Sequence, residues 1–304
     1  MNINKLELSK FKNIEADDID TIKKHLNKFQ YETCDYNIVN LFSWGHFLNV
    51  KWAFFKDRIV FFNFTSGFML FPLGETMSAQ EITHLSNIIR NNGFSGDFVS
   101  VPEIYLDENK DIIDHFCPVY DDGNSDYLYK TEDLAMLGGK KLQKKKNLIS
   151  QFKRSYSPYK TLKFTEDHID MCLDLAVKWC RDLNDICDEE RKLELNVLER
   201  AVRNHRILGL EGILLFVNDK LAAFAFYSGL KPDTADIHFE KYDPEFKGAG
   251  QIINQETAIY LKDRYAFLNR EQDMGKEGLR KAKLSYTPEK IICTYRLLRK
   301  NKSG

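Results

Sequence analysis

Within Ala16 to Phe29, Ile19, Ile22, Leu26 and Phe29 stand three or four residues apart, the spacing that lines one face of a helix, and a second apolar helical stretch covers Ile38 to Phe47. The period then changes. Val50 to Phe55 and Arg58 to Phe64 are rich in Val, Ile and Phe and are parted by Lys56-Asp57, which predicts a hairpin, and Gly67 to Pro72 supplies a third strand. Ser78 with Glu81 makes a capping-box pattern ahead of Ile82, Leu85, Ile88 and Ile89, and Asn92-Gly93 ends that helix. A strand at Phe98 to Val101 and a helix at Glu103 to Phe116 complete the first half.

The same order returns further on. Helical signals run over Glu166 to Leu183 and Glu189 to His205, then strand-like runs over Gly212 to Val217, Leu221 to Gly229 and Ala235 to Lys241. Asn218-Asp219 and Lys231-Pro232-Asp233 are too short to hold a crossover helix, so these neighbours are expected to be antiparallel. A helix from about Gln251 to Lys262, a strand at Tyr265 to Asn269, a helix near Lys276 to Lys283 and a last strand at Ile291 to Leu297 follow. Each half is thus α+β, with a meander ahead of a loop and helix. The division expected is a domain over residues 1–135, a basic interdomain helix over 136–160 and a second domain over 161–304.

Composition narrows the function classes. The 304 residues carry 44 Lys plus Arg against 45 Asp plus Glu, so global charge argues for neither a nucleic-acid nor a membrane partner. The most apolar stretch, Trp52 to Phe71, is broken by Lys56, Asp57 and Arg58, and the start lacks the apolar run of a signal peptide. No membrane span and a cytoplasmic location are expected. Cys34, Cys117, Cys172, Cys180, Cys187 and Cys293 lie far apart without metal spacing and read as free thiols; no metal is expected.

Charge is informative locally. Gly138 to Lys163 holds nine cations and no acid, while Glu103 to Asp133 and Glu166 to Glu199 are acidic. Such segregation suits a phosphate-bearing ligand, tRNA among them, with Lys144, Lys145, Lys146 and Arg154 as contacts; a solvated helix with Leu142, Leu148, Ile149 and Phe152 inward reads equally well. A second candidate is Glu245-Phe246-Lys247-Gly248-Ala249-Gly250-Gln251, between strand and helix, where glycines admit a ligand to the backbone and free N–H groups can hold a pyrophosphate. A Rossmann fingerprint would need a third glycine where Ile253 stands and a parallel unit around it. The antiparallel context is instead similar to the acyl-coenzyme-A loop of GNAT acyltransferases, although Glu245 stands where that pattern has Gln or Arg. The glycines can also serve backbone angles alone. The third candidate is Asn269 to Pro288, NREQDMGKEGLRKAKLSYTP, whose Asn269, Arg270, Glu271 and Asp273 follow directly on a strand, where sites in α/β-type sheets commonly lie.

On Asp35-Tyr36, Asn40-Leu41-Phe42-Ser43-Trp44, Tyr127-Leu128-Tyr129, Gly139-Lys140-Lys141, Lys145-Lys146-Asn147 with Phe152, His238 to Lys241 and the NREQDMGKEGLRKAKLSYTP run, the chain resembles the bacterial family related to the phosphatidylglycerol lysyltransferase C-terminal domain. The resemblance implies two tandem GNAT-like domains, each a mixed, mainly antiparallel sheet flanked by helices. It also implies transfer of an acyl or aminoacyl group from aminoacyl-tRNA or acyl-coenzyme A, as co-substrate rather than tightly bound cofactor, to an amine or hydroxyl acceptor. Whether that acceptor is a small molecule or a lipid headgroup stays open.

Such a transfer needs a base and donors for an oxyanion. His238 and Glu240 alternate with Ile237 and Phe239 and so share a strand face. They are the candidate bases, with Tyr286 as an acid for the leaving group. Lys247, Gly248, Ala249, Gly250 and Gln251 are the candidate donor loop, and Asn269, Glu271 and Asp273 the candidate acceptor site. The alternative is a non-catalytic GNAT-like module whose basic stripe binds RNA or another polyanion.

Overall fold

The computed structural model describes residues 6–182 and 188–300; Cys187 and the expected helix end at Leu183 lie outside them. In chain order come α1 (Ile19–Phe29), α2 (Ile38–Phe47), β1 (Val50–Phe55), β2 (Arg58–Asn63), β3 (Met69–Leu70), α3 (Ala79–Asn91), β4 (Phe98–Pro102), α4 (Glu103–Glu108) and β5 (Phe116–Tyr120). Next are β6 (Asp126–Lys130), α5 (Thr131–Met136), α6 (Gln143–Ser155), β7 (Tyr159–Lys163), α7 (Ile169–Asp182), α8 (Glu189–Arg203) and α9 (His205–Leu208). The chain ends with β8 (Glu211–Val217), β9 (Lys220–Lys231), β10 (Thr234–Tyr242), α10 (Ala249–Leu261), β11 (Phe267–Asn269), α11 (Glu277–Leu284), β12 (Lys290–Ile292) and β13 (Thr294–Arg299).

Local chemistry explains many boundaries. Ser78 Oγ accepts from Glu81 N at 3.3 Å and Ser78 N donates back to the Glu81 carboxylate at 3.1 Å, closing the capping box of α3. Asn37 caps α2 by accepting from Val39 N, and Tyr36, buried beside it, donates its O–H to the Phe71 carbonyl at 2.8 Å. Asn218 and Asp219 both take positive φ, the backbone that a two-residue hairpin between β8 and β9 requires.

The first compact unit comprises the described residues up to Ser125 and those from Ile292 onward. Its sheet runs β1-β2-β3-β4-β13-β5, with β1-β2 antiparallel as expected and β3-β4 parallel. Phe62, Met69, Phe98, Phe116 and Leu297 fill its core against Ile82, Leu85 and Ile89 of α3. Two expectations are corrected here. The helix over Glu103 to Phe116 stops at Glu108, and Phe116 instead opens β5, because its fully buried ring belongs to the sheet. The single strand over Ile291 to Leu297 is two strands, β12 and β13, in different sheets.

The second unit spans Asp126–Ile291, so the divisions at 135 and 160 give way to one near 125 with a C-terminal return. The physical reason is burial: Leu142, Ile149 and Phe152 of α6 sit in this unit's core with Ile252 and Ile253 of α10, so the basic helix is a wall of one unit rather than a linker. The sheet order is β12-β6-β11-β10-β9-β8-β7, with β8-β9 and β9-β10 antiparallel. One pairing positions the site. β10 and β11 are parallel over three residue pairs, ending at Asp236 opposite Asn269; β10 then continues to Tyr242 while the chain after Asn269 turns away. A register shift against β9 between Ile237 and Phe239 adds a bulge at His238.

Gly248 takes φ +94°, and a Cβ there would lie 3.0 Å from the Leu148 carbonyl oxygen and 3.2 Å from Phe152 Cβ. Gly248→Val should therefore destabilise the protein by about 2 kcal/mol, roughly 4–8 °C in Tm, because its backbone is left-handed and its side chain would prise α6 from α10. Thermal unfolding by circular dichroism measures it. An unchanged Tm would mean that α6 does not press on this loop.

Candidate functional site

His238 stands at the centre. Its side chain is inaccessible to solvent, with Nδ1 2.9 Å from Glu271 Oε1 and Nε2 2.8 Å from Ser228 Oγ. A carboxylate only accepts, so in the neutral imidazole Nδ1 carries the proton and Nε2 accepts from the Ser228 hydroxyl. Ser228 reaches this position because β9 pairs it with Asp236, and Glu271 because the chain turns after β11 with φ +57° at that residue. Asp236, fully buried, places Oδ2 3.9 Å from His238 Nδ1. Ligand atoms of Asp236, His238 and Glu271 lie within 4.8 Å of one another, a donor set that a divalent cation can use. In the structure His238 and Glu271 bond each other instead.

The turn after β11 is held from several sides. Arg270 N donates to the Tyr127 carbonyl, Tyr127 N to the Glu271 carbonyl, and Glu271 N to Asn269 Oδ1 at 2.7 Å. The Lys283 ammonium donates to the carbonyls of Arg270 and Glu271.

One residue before Glu271, Arg270 Nη2 donates to Glu240 Oε1 at 3.2 Å, and Asn254 Nδ2 of α10 donates to the other oxygen at 3.3 Å. The guanidinium carbon lies 5.0 Å from the centre of the Tyr286 ring, and Lys145 Nζ lies 4.2 Å from the same centre. Burial pushes the Tyr286 hydroxyl up to about 12, so it keeps its proton at neutral pH and can donate it. Burial, and then Arg270, draw Lys145 below the ordinary lysine value.

Glu240 and Tyr286 thus both lie at Arg270, on the side of the sheet that α10 covers, whereas His238, at the bulge, turns to Ser228, Asp236 and Glu271. Glu240 is a counter-ion to Arg270, which leaves His238 as the candidate base. The three acceptor candidates have other work. Asn269, wholly buried, donates to Asp126 Oδ2 at 2.6 Å, and Glu271 orients His238. Asp273, equally buried, accepts from Tyr127 O–H at 2.6 Å, Arg280 Nε at 2.7 Å and Gly275 N at 2.8 Å.

The donor-loop candidates are drawn into packing. Lys247 N donates to Tyr156 Oη at 3.2 Å, Ala249 N to the Phe246 carbonyl and Gln251 N to the Gly248 carbonyl, so three N–H groups are spent on the protein. A Cβ at Gly250 would lie 2.9 Å from the Tyr242 ring. Glu245 is clamped by Lys178 at 2.7 Å, with Asp243 on the same ammonium at 2.8 Å. These glycines are required by the close approach of protein segments, a requirement that a glycine pattern alone does not separate from ligand approach.

On α6, Lys144 and Arg154 are exposed and Lys146 half-buried, whereas Lys145 turns toward Tyr286. Gln151, Arg154, Ser155, Tyr156 and Lys247 line an open groove of about 270 Å³, which joins one residue of the basic stripe to one of the glycine loop. Ser228 and Asp236 escaped the sequence reading because they lie in apolar strand runs, and Arg270, one cation among several in its segment, was placed after the strand without a role of its own. Cys34, Cys117, Cys172 and Cys293 are free thiols, while Cys180, contrary to expectation, is disulfide-bonded.

A mixed sheet that parts beside a central helix, with polar groups gathered where the strands diverge, defines a GNAT-like fold. A GNAT-family acetyltransferase from Colwellia psychrerythraea matches at a TM-score of 0.53 and 13% identity, over 96% of this chain and all (100%) of that one. The chain belongs to the family described as phosphatidylglycerol lysyltransferase, C-terminal, which it matches over residues 26–298. Similar solved structures include a conserved protein of unknown function from Bacteroides thetaiotaomicron VPI-5482, 34% identical with a TM-score of 0.88, covering 95% of this chain and 99% of that one. L-PGS from Bacillus licheniformis matches at 12% identity and a TM-score of 0.63, over 93% and 92% of the two chains. Family and fold are together of the acyl- and aminoacyltransferase kind. No helix among the described residues is long and apolar enough to cross a membrane.

Burial raises the Asp273 carboxyl, but Arg280, the Tyr127 hydroxyl and Gly275 N together outweigh it and hold it below its ordinary value of 3.8. A depressed folded value gives stability that is complete above the unfolded value and is lost as pH falls through the folded one. Asp273→Asn should thus lower stability at neutral pH and flatten its decline below about pH 4, read from urea unfolding across that range. An acid decline as steep as that of the wild type would remove Asp273 from this account.

Proposed function

We propose that the second unit transfers an acyl or aminoacyl group from an activated donor to an amine or hydroxyl acceptor, with His238 as general base. The observation that carries this is the Glu271–His238–Ser228 chain of hydrogen bonds at the point where β10 and β11 part. Glu271 fixes the tautomer and steadies the imidazolium that forms when Nε2 takes up a proton. Because His238 is buried, the acceptor's proton reaches Nε2 through the Ser228 hydroxyl, which gives up one proton as it receives another. The attacking nitrogen or oxygen then bonds the donor carbonyl carbon, the carbonyl bond to the leaving oxygen or sulfur breaks, and Tyr286 O–H supplies the leaving group's proton.

Aminoacyl-tRNA suits the donor role better than acyl-coenzyme A. The glycine loop spends three N–H groups internally, whereas Lys144, Lys146 and Arg154 offer a cationic track beside the groove at Lys247. No tightly bound cofactor is invoked. The acceptor is a small molecule or a lipid headgroup, and a cytoplasmic location fits either donor. The closed loop also favours a second reading, in which the unit binds RNA or another polyanion without transfer.

Radiolabelled aminoacyl-tRNA and acyl-coenzyme A, each offered with a panel of amines and alcohols, separate the two. Wild type should transfer label, and His238→Ala should lower kcat about 10²- to 10⁴-fold with donor affinity kept. Tight tRNA binding without transfer to any acceptor would establish the second reading instead.

Replacing Lys144, Lys146 and Arg154 together by Ala should reduce the slope of log affinity for tRNA against log salt by about one for each phosphate that is no longer neutralised. Filter binding at several salt concentrations measures this. An unchanged slope would reduce the stripe to a solvated helix face.

A further inference from the structure

On the side of β10 that faces Tyr286, one carboxylate, Glu240, meets two cations, Arg270 and Lys145. Arg270 Nη2 is committed to Glu240, but Nη1 is buried and has no hydrogen-bond partner among the described residues. Glu240 has spent its second oxygen on Asn254. Lys145 brings another cation to the face of Tyr286, the ring beside which the Arg270 guanidinium also lies. Two cations therefore flank one phenol with a single carboxylate between them. A buried guanidinium N–H without an acceptor is destabilising, and two cations brought together in a half-buried site repel each other. Nothing in the packing of the core requires this, since Lys145 stands on a helix whose neighbouring lysines reach water.

We infer that Arg270 and Lys145 form an oxyanion subsite that holds a phosphate ester of the substrate, with Tyr286 O–H beside it. The inference rests on the transferase reading and names the group that the same site grips. A guanidinium offers a planar pair of N–H donors that matches two phosphate oxygens, and an ammonium beside it adds a point charge. Arg270 directly precedes Glu271, the partner of His238 Nδ1, so a phosphate on Arg270 would be anchored one residue along the chain from the His238 relay. Two sources share this chemistry: the terminal nucleotide of the donor and a phosphodiester headgroup on the acceptor.

The test is calorimetric titration of the full chain with inorganic phosphate, AMP and a glycerophosphodiester. Wild type should bind inorganic phosphate at millimolar concentration, Lys145→Gln and Arg270→Lys should each weaken it about tenfold, and Lys220→Gln, which removes an exposed charge elsewhere, should not. Lys145 is half-buried at a helix surface, so its variant keeps the experiment decisive even where Arg270→Lys fails to fold. Tighter AMP binding assigns the subsite to the donor, and tighter diester binding assigns it to the acceptor. Equal phosphate affinity in wild type and Lys145→Gln, or no phosphate binding by wild type, overturns the inference. Lys145-dependent phosphate binding by a protein that transfers nothing keeps the subsite and removes the transferase reading, whereas transfer abolished by His238→Ala with no phosphate bound does the opposite.

Discussion

The brevity of the β10–β11 pairing governs the second unit. Two parallel strands that bond over only three residue pairs leave the peptide groups beyond them without a ladder, and buried N–H and C=O groups must find partners. The chain finds them in Tyr127, the Asn269 side chain and the Lys283 ammonium, which together bond the N–H groups of Arg270 and Glu271 and the carbonyls of both. Those bonds set the direction in which Arg270 and Glu271 leave the sheet. Glu271 meets His238 and Arg270 meets Glu240 as a consequence of backbone satisfaction.

The same constraint explains why so many polar residues are buried here without being reactive. Asn269 with Asp126, and Asp273 with Tyr127, Arg280 and Gly275 N, hold a turn that no sheet or helix supports. A hydrogen bond contributes only about 1 kcal/mol net, yet a buried partner left unsatisfied costs more, so each such residue is needed where it stands. Arg270 Nη1, like Asn254 Oδ1 on the other side of Glu240, stays outside the network, and Arg270 is the group beside which chemistry is proposed.

The basic helix has two faces with different tasks. Leu142, Ile149 and Phe152 close the core against α10, which presses α6 onto Gly248 and leaves that loop little room for a ligand. The outward lysines then offer a track for phosphates, and Lys145, between the faces, carries the charge inward. A glycine motif and a lysine run that read as separate sites are therefore opposite sides of one packed interface.

Residues Ile19 to Phe29, the Ser78–Glu81 cap and the hairpins at Lys56-Asp57 and Asn218-Asp219 were legible from the chain alone, because helix period, capping and turn geometry are decided within a few residues. His238 and Glu240 read as one strand face by alternation, but the bulge at His238 breaks that alternation and gives them different neighbours, Ser228 and Glu271 for one and Asn254 and Arg270 for the other. What the sequence could not decide was everything settled at long range. The return of β13 to the first unit depends on pairings across more than a hundred positions, and the place of α6 in a core depends on what its apolar stripe meets. Asp273 as a buried brace, Ser228 and Glu271 as the two partners of one imidazole, and Arg270 with Lys145 on one tyrosine ring arise only when strands, turn and helix converge. Residue type states what a side chain can do, and tertiary packing decides which of those capacities is already used.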